Sequence, residues 1–186
     1  MATSLQEIAE LLFEAEYKFK INNERNEIFL QMSGLDNYRD KDGDDSLLIV
    51  VRVSEEGEYL EIFAPGSFVI PDDGEKAALF LKACSIIQWK TKLVQFEYDE
   101  SDGEIRPVVE FPIEDSMVTQ KQLMRSIRGL TQLVDTYCPV LDNIKKNGIL
   151  DFEAMEKKDD LNRMMDAINN LPVEALEELL RRKKQI

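Results

Sequence analysis

"LVQFEYDESDGEIRPVVEF", residues 93–111, places two runs rich in β-branched and aromatic residues on either side of an Asp-Gly pair. Asp102–Gly103 tolerates the positive φ that tight hairpins need, so the stretch reads as antiparallel strands at 93–99 and 104–112 around a turn. Pro107 lies inside the second run and cannot donate to a ladder, so that strand is expected to be at an edge there or bulged. The acidic tip invites another reading, because "RDKDGDDS" at 39–46 likewise sets acids around a glycine. A helix–loop–helix calcium site takes side-chain ligands from loop positions 1, 3, 5 and 12, with glycine at position 6. With Gly103 at position 6, Tyr98 and Val109 occupy positions 1 and 12; with Gly43 there, Tyr38 and Ile49 do. Both registers lack two required carboxylates, and the flanks favour strands over helices. The two loops are therefore expected to be solvated hairpin tips, with a weak cation site as the alternative.

Upstream of this hairpin, Ser4 is a candidate N-cap for a helix over residues 4–20 with Leu5, Ile8, Leu12, Ala15 and Phe19 on one face. "NEIFLQM", "SLLIVVRVSE" and "EYLEIFA" then read as three strands, with Gly57 marking a turn. Acidic residues near Pro71 and cations at the far end support a helix at about 73–91. Downstream, a long helix from Ser116 carries Leu123, Ile127, Leu130, Val134, Tyr137, Leu141 and Ile144, a stripe that Leu133 and Val140 widen into a face suited to a sheet. Pro139 is expected to kink or restart this helix, and Gly148 to end it. "DFEAMEKKDDLNRMMDAINN" and "PVEALEELLRRKK" predict two shorter helices. The order is α-β-β-β-α-β-β-α plus a C-terminal helical pair. Antiparallel runs without βαβ alternation make the class α+β, with a domain over 1–150 and an extension over 151–186 packed on it or on a partner.

The chain of 186 residues has 44% hydrophobic residues and a net charge of −14. Such a field repels phosphate backbones and anionic headgroups, so nucleic acid is not an expected partner. "RRKK" at 181–184 has a plain explanation in the dipole of a helix C-terminus. The longest apolar run, "LLIVV" at 47–51, is far below the roughly 20 residues of a spanning helix, so no membrane insertion is expected. The N-terminus lacks a basic region followed by an apolar one, and a cytoplasmic location is the expectation. Cys84 and Cys138 form no CxxC and are expected as buried free thiols.

The chain contains no histidine, which removes the commonest general base and metal ligand along with Ser–His and Cys–His nucleophiles. GxxxxGK[ST] and GxGxxG are absent, and two separated cysteines cannot hold zinc. Paired carboxylates become catalytic only when burial drives their pKa values apart, and the acids here cluster in turns and on polar helix faces. No enzyme activity and no cofactor are expected. Surface chemistry remains. Trp89, Met155, Met164, Met165, Ile168, Leu176 and Leu180 form the candidate partner-binding surface, since flexible thioethers suit adaptable grooves; core filling is the other reading of each.

Residues 89–144, from "WKTKLVQFEYDESDG" to "VDTYCPVLDNI", resemble the YbjN family, named as bacterial sensory-transduction regulators. The resemblance runs through a short helix exit, a strand, an Asp-Gly hairpin, a second strand, and a helix bearing Asp135, Tyr137 and Pro139; residues 151–186 lie outside it. It implies the type III secretion chaperone-like fold and protein binding, with no reaction or cofactor. Chaperones of that architecture are small, acidic and usually dimeric, and hold an extended segment of a client. The expectation is a non-catalytic cytoplasmic protein-binding module, chaperone-like or regulatory. Its partner would be a client or regulatory protein. A homodimer is also expected, because the C-terminal methionines and leucines need cover. A small-ligand or cation sensor using the acidic loops is the alternative, followed by a carboxylate-based enzyme.

Overall fold

A computed structural model describes residues 3–114 and 116–153. The chain divides into two compact units, Met1–Leu150 and Asp151–Ile186. In the first, the elements run α1 (Leu5–Glu14), β1 (Phe19–Asn22), β2 (Glu27–Ser33), β3 (Ser46–Ser54), β4 (Tyr59–Phe63), β5 (Phe68–Val69), α2 (Gly74–Lys90), β6 (Gln95–Tyr98), β7 (Glu104–Pro112) and α3 (Gln120–Asn147). Every strand pairing is antiparallel, and the class is α+β.

The sheet runs β1-β2-β3-β4-β7, with β5 continuing past β4 along the same side of β7 and β6 along the other. Val108 shows the arrangement, since it pairs with Phe63 of β4 on one side and Gln95 of β6 on the other. Among the described residues the two sides of the sheet thus end on β1 and β6, and the two-residue β5 leaves a short further edge beside β7. Alternation decides which face the helices take. Ile28, Leu30, Ile49, Val51, Ile62, Ile105 and Val109 are all buried on one side, and α1, α2 and α3 cover it. The expected stripe of α3 is buried from Leu123 to Ile144 except for half-buried Tyr137, and Leu133 and Val140 are buried with it. Each such aliphatic side chain contributes about 1.5–3 kcal/mol of transfer free energy.

Four local expectations are corrected. First, α1 stops at Glu14, and Phe19 belongs to a strand. The stop is a Schellman arrangement, with the Tyr17 N–H donating to the Leu12 carbonyl and the Glu16 N–H to that of Phe13, and Glu16 takes the left-handed φ of 62° usually left to glycine. Second, β5 adds a two-residue strand between Pro65–Gly66 and Pro71, too short to show any alternation. With β1 it brings the sheet to seven strands where five were expected.

Third, Pro107 lies in an interior strand. Its carbonyl accepts from the Ala64 N–H, so its donor-less nitrogen faces the break between β4 and β5, where no ladder partner is lost. Fourth, α3 continues through Pro139, which sits on the exposed side of the helix. At the other end points, the caps read from sequence at Ser4 and Gly148 are in place, and Asp73 supplies one that was not read. Ser4 makes a capping box with Glu7, Asp73 accepts from the N–H groups of Glu75 and Lys76, and Gly148 closes α3 with a φ of 68°.

Candidate functional site

The edge strand β1 has chemistry on both faces. Phe19 and Ile21 pair with Leu30 and Ile28 and so lie on the helix side, beneath α1. Between them and Ala9, Phe13, Glu10 and Glu14 of α1 runs an open groove of about 560 Å3. Phe13 is 76% exposed although it is a large aromatic on a helix that buries its opposite face. On the other side of the strand, Lys18 and Lys20 border a second groove of about 430 Å3 with Phe29, Gln31 and Leu48. Among the described residues, the outer edge of β1 has no strand beside it. Such an edge is a template for another extended chain.

The opposite edge differs. There, the Phe96 N–H of β6 donates to the Gln88 side chain of α2, which occupies part of that ladder. One edge is thus partly capped from within while the other offers its backbone together with an apolar groove.

The face of the sheet away from the helices carries two transverse rows fixed by register. One runs Lys20–Phe29–Val50–Phe63–Val108, and the last three form a buried cluster against Phe29. The adjacent row runs Glu27–Arg52–Glu61–Glu110. Arg52 donates through Nε and Nη2 to Glu27 Oε1 at 3.0 and 2.6 Å, and lies 3.5 Å from Glu61. The guanidinium groups of Arg52 and Arg106 stand 4.9 and 4.7 Å from the Phe63 ring centroid, and Arg106 pairs with Glu97 at 2.6 Å. Tyr59 donates to Glu110 at 2.7 Å, and that bond raises its pKa to about 12. Glu27 is buried, and Arg52 stands between it and Glu61 as an ion-pair partner to both.

Both acidic loops fold as turns. Asp40 accepts from the N–H groups of Asp42 and Asp44, and these bonds hold its carboxyl below the usual range. Asp99 accepts from Ser101, with the same effect, and the Gly103 N–H closes the hairpin onto the Asp99 carbonyl. The carboxylates of Asp40, Asp99 and Asp102 are spent on their own backbones, as in Asx-turns. Among the described residues no three acids or thiols converge as metal ligands would.

Asp135 has a role that sequence could not assign. From inside α3 it accepts from the N–H groups of Asn37 at 2.7 Å and Tyr38 at 2.9 Å, and more weakly from Asp36. It thereby pins the β2–β3 connection, whose Tyr38 ring is buried edge-on to Phe68. Cys84 and Cys138 are free and buried, and burial pushes their thiols up to about 12 and about 11.

Of the residues singled out from sequence, Trp89 lies at the C-terminal turn of α2 with 90% of its surface exposed. Met155, Met164, Met165, Ile168, Leu176 and Leu180 fall outside the described residues. The residues of the β1 groove were missed, because Phe19 sits four positions after Ala15 and continued a helical stripe. The alternation Lys18–Phe19–Lys20–Ile21 was the signal that could have found it.

No family model and no curated protein sequence matches the chain. The fold is similar to the crystal structure of YbjN, a proposed transcription regulator from E. coli, with a TM-score of 0.54 and 10% identity over 75% of this chain and 94% of that one. The structure of the HopA1-SchA chaperone-effector complex is also similar, with a TM-score of 0.45 and 12% identity over 67% of this chain and 84% of that one. The expected likeness to YbjN holds at the level of the fold. No helix among the described residues is long and apolar enough to cross a membrane.

Proposed function

We propose that the chain is a non-catalytic cytoplasmic protein-binding module, chaperone-like or regulatory, that takes an extended segment of its partner along β1. The observation that carries this reading is the outer edge of β1, unpaired among the described residues and backed by the groove under α1, with Phe13 76% exposed. An added strand gains main-chain hydrogen bonds, and its alternate side chains supply specificity. Side chains on one face of that segment would be apolar, to meet Phe13, Phe19 and Ile21; the others would face Lys18 and Lys20. The likeness to YbjN, itself a proposed regulator, supports a regulatory setting.

The homodimer and the partner contacts of the C-terminal methionines and leucines belong to the same proposal, and light scattering of the full chain reads the first directly. For the site, a photo-crosslinking amino acid is placed at Phe13 and, as a control, at exposed Glu100 in producing cells. A defined protein adduct is expected from position 13 alone. With that partner purified, the amides of residues 19–22 should exchange more slowly in its presence. Adducts equal at both positions, or no slowing in β1, would overturn the reading.

A further inference from the structure

Residues 76–96 and 116–134 contain no Asp or Glu in a chain that has 37 of them, and together they hold seven of its 23 cations. The two runs cover most of α2 and the first half of α3, helices that pack against each other. Charge is thus segregated within a protein of net charge −14.

Along this pair, the 91–94 connection and α3 border a groove of about 230 Å3 lined by Lys92, Val94, Gly129, Leu133 and Thr136 among others. A Cβ on Gly129 would meet nothing within 4 Å, so the floor lies open. Exposed Arg125 and Lys121 stand one and two turns before Gly129 on the same side of α3. Lys92, Lys121 and Arg125 make no ion pair among the described residues.

Leu93, between the groove-lining Lys92 and Val94, is 56% exposed, and Trp89, in the last turn of α2 two residues before Thr91, is 90% exposed. Leu93 has a φ of 76°. That left-handed conformation costs a bulky residue about 1–2 kcal/mol and is one glycine adopts freely. Burial of its side chain does not repay the cost. Among the described residues Leu93 is the one apolar side chain at a non-glycine positive φ, and strain at such a residue is a motive for a binding role.

We propose that this face, made by the last turn of α2, the 91–94 connection and the exposed side of α3, binds an acidic segment of a protein partner through one bulky apolar anchor. Lys92, Lys121 and Arg125 would meet its carboxylates, and Trp89 and Leu93 its anchor. Scale favours a short peptide over a membrane or a nucleic acid. A charged bilayer or duplex faces the repulsive field of the whole molecule, whereas a short segment is screened beyond about one Debye length, roughly 8–10 Å, and meets chiefly the local cations. Asp135, which adjoins the groove at Thr136, is engaged by the N–H groups of Asn37 and Tyr38. The face lies by β6, at the sheet edge opposite β1, so it is independent of the strand-addition site.

Trp89 is the chain's one tryptophan, so intrinsic fluorescence reads this face directly. The full-length protein is titrated with a synthetic peptide of Asp and Glu around a central Phe, and with its counterpart bearing Lys at every acidic position. A saturable blue shift is expected with the acidic peptide alone, weakening as salt is raised. The doubly reversed variant Lys92→Glu/Arg125→Glu should bind about tenfold or more weakly with an unchanged melting temperature. Phe13→Asp, at the other edge, should bind as the native chain does. The proposal is overturned by a flat titration, by equal shifts from both peptides, by reversed charges without effect, or by a shift with phosphatidylglycerol vesicles and none with peptide.

Discussion

Asp135 accepts from two or three consecutive backbone N–H groups across a sequence separation of nearly a hundred residues, so its removal leaves donors of Asn37 and Tyr38 without a partner. Asp135→Ala should cost about 2–3 kcal/mol in urea unfolding, the penalty for two part-buried donors left unmade. It should also open the 34–45 connection to limited proteolysis before the rest of the fold. Asp135→Asn keeps one acceptor oxygen and should fall between the two. Local residue chemistry was legible in the sequence wherever donor and acceptor are close. Ser4 and Gly148 end their helices as read, because a cap is decided within one turn. Asp135 could be picked out as part of a pattern, but the loop it holds lies across the fold and leaves no mark at Asp135 itself.

At the scale of elements, the end of α1 decides whether β1 exists. Glu16 sits at the position after the C-cap with a φ of 62°, where a Cβ is unfavourable. Glu16→Gly should therefore stabilise the chain by up to about 1 kcal/mol in thermal or urea unfolding, the relief of left-handed strain outweighing the entropy glycine adds to the unfolded state. A loss of stability would mean that Glu16 makes a compensating interaction. The α2 helix was legible from its helix formers and the polarity of its end charges, whereas helix periodicity was legible in α3 because its stripe spans several turns. It misled at residues 15–20, where one apolar residue at the right spacing outvoted a four-residue alternation and no glycine marked the stop. The β6–β7 hairpin was legible from its turn. The place of Pro107 was not, because the gap that accommodates it is made by β4 and β5, some forty residues earlier.

At the scale of the whole molecule, the described residues include two thiols and a phenol whose pKa burial raises. Cys84, Cys138 and Tyr38 are pushed up to about 12, about 11 and about 12, in each case chiefly by burial. In the unfolded chain the thiols ionise near 9 and the phenol near 10. Raised folded values mean that this stability is fully present below pH 9 and is lost as pH climbs through 11 and 12. Unfolding free energy should thus fall steeply above pH 9, by about 1 kcal/mol per pH unit for each thiol, and Cys84→Ala should flatten the slope. A slope unchanged by that substitution would place the alkaline transition elsewhere. The fold class and the absence of histidine-based chemistry were legible at this scale; the contrast between the two sheet edges was not, since it depends on which strands meet. The stop at Glu16 has one further consequence. Side chains alternate along a strand, so the spacing between Glu16 and Phe19 acts as a phase. One residue more or fewer would turn Lys18 and Lys20 under α1 and Phe19 and Ile21 toward the other face, while two would restore the original order. What each side of that edge offers is set by parity, and composition could be kept intact while the surface inverted.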